Sequence, residues 1–430
     1  MGAAISRPAA PRRGTIRLRH GRALLRGATV SITAVALWSF VVAPLLGHFS
    51  GRFEDFSAYI GAARDMANGR SPYAQFDGSV SVVMTGFDYP PFAALLVRPL
   101  ALLSDTAAMT LWLWVSLACT VAGALVVART ALPESWPRTD IALLAAFAFG
   151  PAAYNYWHGQ MNPVIFLLLA LAYRAWVRDR ELPAGVLLGL AGGVKVAPAV
   201  LILVLLRRGW WRGAAAMVAT GLASVGVAAA VIGVNGVRTF FDTVLPALTR
   251  ETGWIYNQSL GGLLSRAGDH SVLSVGPGST ALHVAVLAGA VALLGVAAWV
   301  VRPGQRDEAE RGAEFGLALT AMLLAGSIAW YPHFTHILIP LAAAAGLVAA
   351  RGWHVERRLG LALLAVLGVF GLVAPVVLSG IDMQTLQSAH AGAEWWPFLQ
   401  LFSLPAAAVL ALLATQARSL RTIDRWTSSA

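Results

Sequence analysis

A chain of 430 residues that is 57% hydrophobic and 12% charged is too apolar for a soluble globular protein, in which roughly 25% of residues carry charge. Apolar runs of about 20 residues recur along its whole length, which predicts a polytopic helical membrane protein. The formal net charge of +11 comes from arginine, because Lys195 is the only lysine. The single cysteine, Cys119, excludes a disulfide or a cysteine-based metal site within one chain.

The chain begins with a basic stretch. Residues 1–26 contain seven arginines, no acidic residue and two prolines, which predicts a disordered cytoplasmic tail. The apolar run 27–47 predicts the first span. A cleaved secretory signal is the alternative, and we favour an uncleaved anchor because the run is long and no A-x-A site follows. Residues 418–430 are predicted to be a second cytoplasmic tail, so residues 27–417 form one transmembrane domain.

The loop after the first span, residues 48–104, carries an acid pair followed by a helical pattern. After Glu54 and Asp55, the residues Phe56, Tyr59 and Ile60 share one face of a helix predicted over 56–67. A second short helix is predicted over 91–103. A carboxylate at the start of an interfacial helix can take a proton from a hydroxyl. The alternative is that the acid pair only caps the helix.

Eleven further apolar runs complete the predicted layout of twelve spans. They lie near 105–128, 140–155, 162–177, 183–195, 196–206, 213–233, 280–300, 313–330, 335–350, 359–379 and 397–416. With the N-terminus inside, the cytoplasmic segments hold 24 arginines and the opposite side holds seven. This is the positive-inside bias. It explains the net charge by topology and leaves no sign of nucleic-acid binding.

Residues 183–206 decide which way every later loop faces. They are only about long enough for one span at 1.5 Å per residue, but one span would place Arg207, Arg208 and Arg212 outside. Two short halves that meet near Gly192–Pro198 keep the charge bias, and we favour this broken hairpin. Glycine and proline break helices, and the freed backbone must then line a polar cavity.

Lys195 lies inside this break. An ammonium at membrane depth is costly and usually has an anionic partner. In a chain whose other basic residues are arginines, this lysine is predicted to contact a phosphate at the membrane surface. The alternative is that its side chain extends to the interface from a shorter helix.

Polar and aromatic side chains collect on the predicted outer side. Tyr89 follows Asp88 and precedes Pro90–Pro91, where it either walls a pocket over Asp55 or belongs to a structural turn. His158, Gln160 and Asn162 lie at the top of two spans. Their side chains suit sugar hydroxyls, and capping the helix that follows is the alternative.

Two later stretches have the same character. Asn257 and Gln258 are followed by Gly261–Gly262, which permit close backbone approach, and an ordinary turn is the alternative. His333 and His336 flank a short bend and suit hydrogen bonds to a phosphate or sugar, or anchor helix ends at the interface. The sequence does not predict a zinc site here, because no third ligand is near in sequence. We expect no metal and no cofactor. No Walker, dinucleotide, HExxH or GxSxG pattern is present.

Taken in order, these stretches resemble glycosyltransferase family 87, whose members have the GT-C fold. No single piece is specific, but their order and spacing from about residue 50 to 340 are. One departure is Trp330-Tyr-Pro-His333, where the family has a Trp-Thr-His-His run. The stretches that carry the resemblance are Asp55–Ala62, Tyr89–Phe92, Gly159–Asn162, Gly193–Pro198, Asn257–Ser259 and Ser327–His333.

The resemblance implies an all-α polytopic GT-C enzyme with about twelve transmembrane helices and interfacial helices in its first outer loop. It implies inverting transfer of a sugar from a polyprenyl-phosphate donor to a glycolipid or glycan acceptor on the non-cytoplasmic face, and mannose is the sugar we expect. Asp55 falls at the family's catalytic aspartate and would be the general base. Lys195 and His333 would stabilise the departing phosphate. The remaining candidates would contact sugar or acceptor: Tyr59, Tyr89, His158, Gln160, Asn162, Asn257, Gln258 and His336.

Three alternatives remain open from the sequence. The family includes arabinofuranosyltransferases, so the sugar is not settled. A transporter would use Lys195 and the broken helix as an anion site, although no second half mirrors the first. A non-catalytic scaffold is the third. The abundance of Ala, Gly and Arg indicates a bacterial genome of high GC content, and therefore a multi-pass protein of the bacterial plasma membrane.

Overall fold

The structure is a computed structural model that describes residues 13–43, 54–74, 76, 86–249, 252–269, 280–304, 306–373 and 403–427. Within these ranges the chain is helical, and the one β-bridge pairs Asn257 with Trp330. The predicted loop 380–396 and the first residues of the predicted span 397–416 lie outside the described residues. The all-α prediction is confirmed for the part of the chain that is described.

The first half of the chain forms nine α-helices among the described residues. They are α1 (Arg13–Leu37), α2 (Glu54–Ala67), α3 (Pro91–Val97), α4 (Asp105–Ala131), α5 (Arg138–Ala148), α6 (Gly150–His158), α7 (Asn162–Val177), α8 (Glu181–Val194) and α9 (Ile202–Arg208). A π-helical segment, Trp38–Val42, ends α1, and 3₁₀ segments follow α3 and precede α9.

The second half adds eight α-helices in the described ranges. They are α10 (Trp211–Thr239), α11 (Leu245–Leu248), α12 (Leu260–Asp269), α13 (Thr280–Val300), α14 (Glu308–Ala325), α15 (Leu338–Arg351), α16 (Arg357–Gly368) and α17 (Leu404–Thr427). A 3₁₀ helix, Tyr331–Ile337, leads into α15. The two interfacial helices predicted for the first outer loop are present as α2 and as α3 with its 3₁₀ extension.

Four described helical segments are long and apolar enough to cross a membrane. They are Asp105–Ala131, Trp211–Leu248, Thr280–Val300 and Tyr331–Arg351. Helix α4 shows how the sequence marks such an element: Ser104 caps its N-terminus by accepting the Ala107 N–H at 3.4 Å, and apolar residues then run for seven turns. The protein is thus a multi-pass membrane protein, while the number twelve stays a prediction.

The broken hairpin predicted over 183–206 is present. Helix α8 ends at Val194, Lys195 is extended (φ −149°, ψ 131°), and the chain continues as the 3₁₀ segment Ala197–Leu201 and α9. Arg208, at the end of α9, donates to Asp179 Oδ1 at 3.0 Å, just before α8 begins. The two ends of the hairpin remote from Lys195 therefore meet, and Lys195 lies near the tip of the hairpin.

Glycines on one face of α8 let this hairpin pack closely on α10. A Cβ at Gly185 would meet the carbonyl oxygen of Gly213, one at Gly189 would lie 2.6 Å from the Met217 carbonyl, and one at Gly193 would lie 2.9 Å from the Ser224 side chain. The three glycines recur every four residues, which places them on one helix face. Small residues at this spacing allow close helix crossing in membranes.

A buried ion-pair network joins the arginine-rich loops at one end of the bundle. The Arg208 guanidinium lies 4.8 Å from the ring centroids of Trp176 and Trp210. It donates to Glu314 Oε2 at 2.8 Å, and Arg306 Nε approaches the other carboxylate oxygen of Glu314 at 2.8 Å. Glu314 is fully buried, so its two arginine partners offset the cost of burying the carboxylate.

Three predicted boundaries differ from the structure. Helix α1 begins at Arg13, inside the stretch predicted to be a disordered tail, because the residues after Pro11 include good helix formers and no further proline until Pro44. The span predicted over 140–155 consists of two helices, α5 and α6, with Phe149 between them. Helix α6 begins directly after Phe149, with Gly150 and Pro151. Helix α17 continues to Thr427, through most of the predicted C-terminal tail.

We expect a reporter fused after Ala430 to behave as cytoplasmic, because the arginine-rich loops share one end of the bundle. An alkaline phosphatase and a fluorescent-protein fusion at this point would measure it. As a control, fusions truncated after Ser104 should give the opposite signal. A periplasmic signal from the full-length fusion would contradict the predicted sidedness of the whole chain.

Candidate active site

Helix α2 presents Asp55 above an aromatic cluster. Phe56, Tyr59, Ile60 and Ala63 are buried on one face, as the helical spacing predicts, while the Asp55 side chain stays 39% exposed. The Tyr59 ring meets those of Phe87, Tyr89 and Trp112 edge-on, with ring centroids 5.4–6.1 Å apart. This packing fixes α2 and therefore the position of the carboxylate in its first turn.

The same aromatic cluster holds the loop between α6 and α7. Helix α6 ends at Gly159 with a φ of +67°, a conformation that favours glycine. Trp112 Nε1 donates to the Gly159 carbonyl at 2.7 Å, and the Met161 N–H donates to the Tyr59 hydroxyl at 3.2 Å. Tyr59 is thus a packing and positioning residue in this structure, and its hydroxyl faces the loop backbone.

A continuous chain of polar contacts connects Asp55 to His333. Gln160 Nε2 donates to Asp55 Oδ2 at 2.8 Å, and Asn162 Nδ2 donates to Gln160 Oε1 at 2.6 Å. Lys195 Nζ donates to Asn162 Oδ1 at 3.1 Å and lies 2.7 Å from His333 Nε2. The structure therefore brings five predicted site residues, from four separate segments, into one network.

The His333 ring presents a donor toward Lys195. Its Nδ1 accepts the Trp330 N–H at 3.1 Å, so in the neutral ring the proton lies on Nε2. At 2.7 Å from Lys195 Nζ this N–H can donate to a neutral amine, whereas opposite an ammonium the contact brings two donors together. Two converging donors are best satisfied by an anionic acceptor such as a phosphate oxygen.

Asn155 holds the His333 segment in place. Its Nδ2 donates to the carbonyl of Pro332 at 3.0 Å and to Thr335 Oγ1 at 2.7 Å, and its Oδ1 accepts from Asn162 at 2.9 Å. Asn162 and Asn155 are both fully buried, and their amides are occupied by these contacts. Asn162 therefore acts here as a link within the network, and the sugar contact predicted for it would require those bonds to change.

Asp88 lies close enough to Lys195 to interact with its charge, and it was not among the predicted site residues. Burial raises the pKa of Asp88 to about 6, and the positive charge of Lys195 opposes this rise. Lys195 Nζ also lies 5.4 Å from the ring centroid of Tyr89. At neutral pH Asp88 is thus a nearby negative charge for the lysine. The signal available in the sequence was an acidic residue followed by Tyr89 and two prolines.

The two other histidines among the predicted site residues are His158 and His336. His158 Nδ1 is 3.8 Å from Asp55 Oδ2, and its ring stacks on Tyr154 with centroids 4.2 Å apart. His336 is buried, stacks on Phe166 with centroids 6.4 Å apart, and its Nδ1 has no hydrogen-bond partner among the described residues. His158 is half-buried beside the carboxylate, which suits contact with an acceptor.

Asn257 and Gln258 lie in a loop that is hydrogen-bonded to the Ser327–Trp330 segment. Asn257 Nδ2 donates to the carbonyls of Thr252 and Ser327 at 2.9 and 3.0 Å, and its Oδ1 accepts the N–H groups of Ser259 and Ala329. Every polar position of this amide is therefore used within the protein. Gln258 differs, because its Oε1 is buried with no described partner.

Arg266 supports this loop from α12, and sequence analysis did not identify it. It is 1% exposed, and its guanidinium donates to the carbonyl oxygens of Trp254 and Asn257 at 3.1 and 2.8 Å and to Ser403 Oγ at 3.0 Å. An arginine on the predicted outer side, where arginines are few, was the signal that could have found it. The loop with Asn257 thus positions Trp330 and His333.

Gly262→Ala is expected to destabilise the protein, because a Cβ at Gly262 would meet the carbonyl oxygen of Asn257. Overpacking of this kind typically costs about 1–3 kcal/mol. The matched control is Gly295→Ala in α13, where a Cβ meets nothing within 4 Å and alanine favours the helix. Thermal unfolding in detergent should show a lower Tm for the first variant only. Equal Tm values would contradict the close approach.

Among the described residues, no group of three or more His, Cys, Asp or Glu side chains is placed to hold a metal ion. The expectation that no metal is required stays a prediction.

Comparison with known families supports the resemblance seen in the sequence. The model of glycosyltransferase family 87 matches residues 87–327. The matched range contains Gln160, Asn162 and Lys195, and it stops short of Asp55 on one side and His333 on the other.

Three relatives are similar over most of their length. Two are polyprenol-phosphate-mannose-dependent alpha-(1-2)-phosphatidylinositol pentamannoside mannosyltransferases. The one from Mycolicibacterium smegmatis is 29% identical over 73% of this chain and 72% of the relative, and the one from Mycobacterium tuberculosis CDC 1551 is 28% identical over 78% and 75%. The third, a polyprenol-phosphate-mannose-dependent alpha-(1-2)-phosphatidylinositol mannoside mannosyltransferase from M. tuberculosis H37Rv, is 30% identical over 88% and 87%.

Proposed function

Because the chain belongs to glycosyltransferase family 87, we propose that it transfers mannose from a polyprenyl-phosphate donor to a glycolipid acceptor, with Asp55 as the general base. The relatives named above use polyprenol-phosphate-mannose and act on phosphatidylinositol mannosides. Membership of a glycosyltransferase family argues against the transporter and scaffold alternatives. A phosphatidylinositol mannoside is accordingly the first acceptor to test here.

The observation that carries this proposal is the polar chain from Asp55 to His333. One end is a partly exposed carboxylate, and the other end is Lys195 in contact with His333, whose Nε2 lies 2.7 Å from Nζ. Glycosyl transfer from a lipid phosphate needs both functions at once: a base at the acceptor hydroxyl and positive charge at the departing phosphate. The amides of Gln160 and Asn162 hold the two ends at a set separation.

The reaction then proceeds in one displacement. The acceptor hydroxyl oxygen attacks the anomeric carbon of the donor sugar while its proton passes to a carboxylate oxygen of Asp55. The bond between the anomeric carbon and the phosphate oxygen breaks, and the polyprenyl phosphate leaves with that electron pair. Lys195 and the Nε2–H of His333 stabilise the negative charge on the leaving group. Attack opposite the leaving group inverts the anomeric configuration.

The geometry divides the other predicted contacts into four sets. His158 and Gln160 lie beside Asp55, and we assign them to the acceptor or the sugar. Tyr59, Asn162 and Asn257 are buried and bonded within the protein, so we assign them to positioning. The Tyr89 ring lies beside Lys195, with its centroid 5.4 Å from Nζ. His336 and Gln258 each keep a buried polar atom without a described partner, which leaves both able to bond a bound sugar.

We further propose that the site faces the non-cytoplasmic side of the bacterial plasma membrane. Asn162 begins α7 at the site, and Val177 ends it where Arg311 Nε donates to the Val177 carbonyl at 2.7 Å. At 1.5 Å per residue these ends lie roughly 22 Å apart. The site is therefore at the end of α7 opposite to the arginine-rich loops, which the positive-inside bias assigns to the cytoplasm.

The test is transfer by the purified protein in detergent. Labelled polyprenyl-phosphate mannose and a phosphatidylinositol mannoside should give a product of higher mass by one mannose, with the new linkage read from its NMR coupling constants. Polyprenyl-phosphate arabinofuranose in place of the mannose donor tests the arabinofuranosyltransferase alternative. Transfer from a nucleotide sugar but not from the lipid donors, or no transfer from any of them, would contradict the proposal.

A further inference from the structure

A basic cavity lies at the arginine-rich end of the bundle. It is open, has a volume of about 440 Å³, and its lining includes Arg26, Arg129, Trp136, Arg138, Thr139 and Asp140. Helix α4 runs from Asp105, which pairs with Arg64 of α2, to the end that bears Arg129. At 1.5 Å per residue, Arg129 is roughly 36 Å along this helix from Asp105. The cavity is therefore separate from the candidate active site.

The charges around the cavity favour an anion. Three arginines, from α1, α4 and α5, line the cavity with one carboxylate, that of Asp140, and an exposed second carboxylate, that of Glu134, lies 4.0 Å from Arg138 Nη1. Arg138 is held in place because its Nε donates to the carbonyls of Leu132 and Pro133 at 2.8 and 3.1 Å. Arg26 and Arg129 are exposed and form no ion pair among the described residues. Two positive charges are thus available to a ligand.

The start of α5 adds hydrogen-bond donors at the same place. Its N-cap, Pro137, offers no side chain to the first-turn N–H groups, which lie at the positive end of the helix dipole. The Arg138 N–H donates to the Trp136 carbonyl at 2.8 Å, so the donors offered to a ligand are the N–H groups of Thr139 and Asp140. Thr139 adds a hydroxyl. Arg22 Nη2 donates to the Ser135 carbonyl at 3.3 Å, which ties α1 to the loop before α5. The cavity is therefore built by contacts between segments distant in sequence.

Apolar surface next to the cavity indicates that the anion belongs to a lipid. Val30, one helical turn after Arg26 on the same face of α1, is 62% exposed, and the Trp136 ring is 41% exposed. Tryptophan at this level is typical of the membrane interface. A free phosphate would use only the arginines, whereas a phospholipid places its head group among them and its acyl chains along α1.

We propose that this cavity binds the head group of an anionic phospholipid from the leaflet at the arginine-rich end. Arg26, Arg129 and the first-turn amides of α5 contact the phosphate, and Arg138 lies behind it. The site is distinct from that of the polyprenyl-phosphate donor, and it stands whether or not the proposed transfer reaction is correct.

Native mass spectrometry of the full-length protein in detergent would test this site. The probe is phosphatidylglycerol, with phosphatidylcholine as the zwitterionic comparison and inorganic phosphate as a competitor. Each basic side chain near a membrane surface contributes about 1 kcal/mol. The Arg26→Gln/Arg129→Gln double variant should therefore raise the Kd for phosphatidylglycerol about 30-fold. The matched control is Arg207→Gln/Arg212→Gln, two exposed arginines at the same end but outside the cavity, and it should change Kd less than about threefold.

Asp140→Asn gives a second measurement that does not depend on the folding of the double variant. Removing the carboxylate that lines the cavity should tighten phosphatidylglycerol binding severalfold and leave phosphatidylcholine unchanged. Equal weakening by both double variants would show general surface charge and overturn the site. Equal binding of the two lipids, or displacement of phosphatidylglycerol by millimolar inorganic phosphate, would overturn its assignment to an anionic lipid.

Discussion

Asp55→Asn should lower the transfer rate by about 10²–10⁴-fold, the usual contribution of general-base catalysis, with binding of the donor nearly unchanged. Asparagine retains a carbonyl oxygen that can accept the Gln160 N–H now bonded to Asp55 Oδ2 at 2.8 Å, so the polar chain persists. It cannot take a proton from the acceptor. The variant therefore removes the base and keeps the geometry. Single-turnover rates with polyprenyl-phosphate mannose would measure it.

Two further variants sharpen this test. Asp55→Glu should lose about 10²-fold, because one methylene moves the carboxylate by about 1 Å and misplacement of that size carries such a cost. Asp105→Asn is the matched control: Asp105 is an exposed carboxylate in the first turn of α4, paired with Arg64 outside the network, and its loss should change the rate little.

The opposite result has a clear meaning. If Asp55 only capped α2, asparagine would serve as well, since it is an equally good N-cap, and the rate would be unchanged. A purified Asp55→Asn protein that retains more than a tenth of the wild-type rate would exclude Asp55 as the base. Intact folding would be checked by thermal unfolding, which depends on the burial of Phe56 and Tyr59 and should not change.

Lys195→Ala should have the second large effect, raising the KM for the donor and lowering kcat by about 10²–10³-fold. This is the range for removing one preorganised donor to charge that develops in a transition state. Lys195→Arg should retain part of the activity, since it keeps the charge but not the compact ammonium that fits between Asn162 and His333. Donor titrations in steady state would separate KM from kcat.

A double-mutant cycle with His333 tests whether both groups serve one phosphate. If they do, the effects of Lys195→Ala and His333→Ala should be strongly non-additive, because the second change removes an interaction already weakened by the first. Arg207→Ala, at the far end of the hairpin, is the control and should leave the donor KM unchanged. Additive effects would place the two side chains on different parts of the substrates, and wild-type kinetics from Lys195→Ala would show that the lysine has no role.

Several features of the fold were predictable because they depend on local patterns. The limits of α13 match the predicted span 280–300. The length of a membrane-spanning helix follows from the local run of apolar residues, because that run must match the thickness of the bilayer. The hairpin around Lys195 was predictable for a related reason: only a break there keeps Arg207, Arg208 and Arg212 with the other arginines. Pro198 lies just past that break, whereas Gly192 belongs to the last turn of α8, which continues to Val194.

The tertiary structure alone decided how the candidate site is assembled. Asp55, Gln160, Lys195 and His333 lie on four segments separated by long stretches of sequence, and nothing in the pattern around any one of them specifies its partner. The occupied amides of Asn257 and Asn162 changed their expected role in the same way, since a polar side chain on the outer face looks alike in sequence whether it meets a sugar or the protein's own backbone.

The physical reason lies in the range over which each force acts. Transfer of apolar side chains into lipid and the charge bias of loops act on each segment by itself, so the sequence by itself determined the helical membrane class and the face of α2 that is buried. Which side chains meet depends on how helices pack. Gly185, Gly189 and Gly193 let α8 approach α10 closely, and the aromatic cluster around Tyr59 sets the loop before Asn162. Such complementarity exists only between surfaces that are distant in sequence, so only the folded structure brings Asp55 within reach of Gln160 and Lys195 within reach of His333.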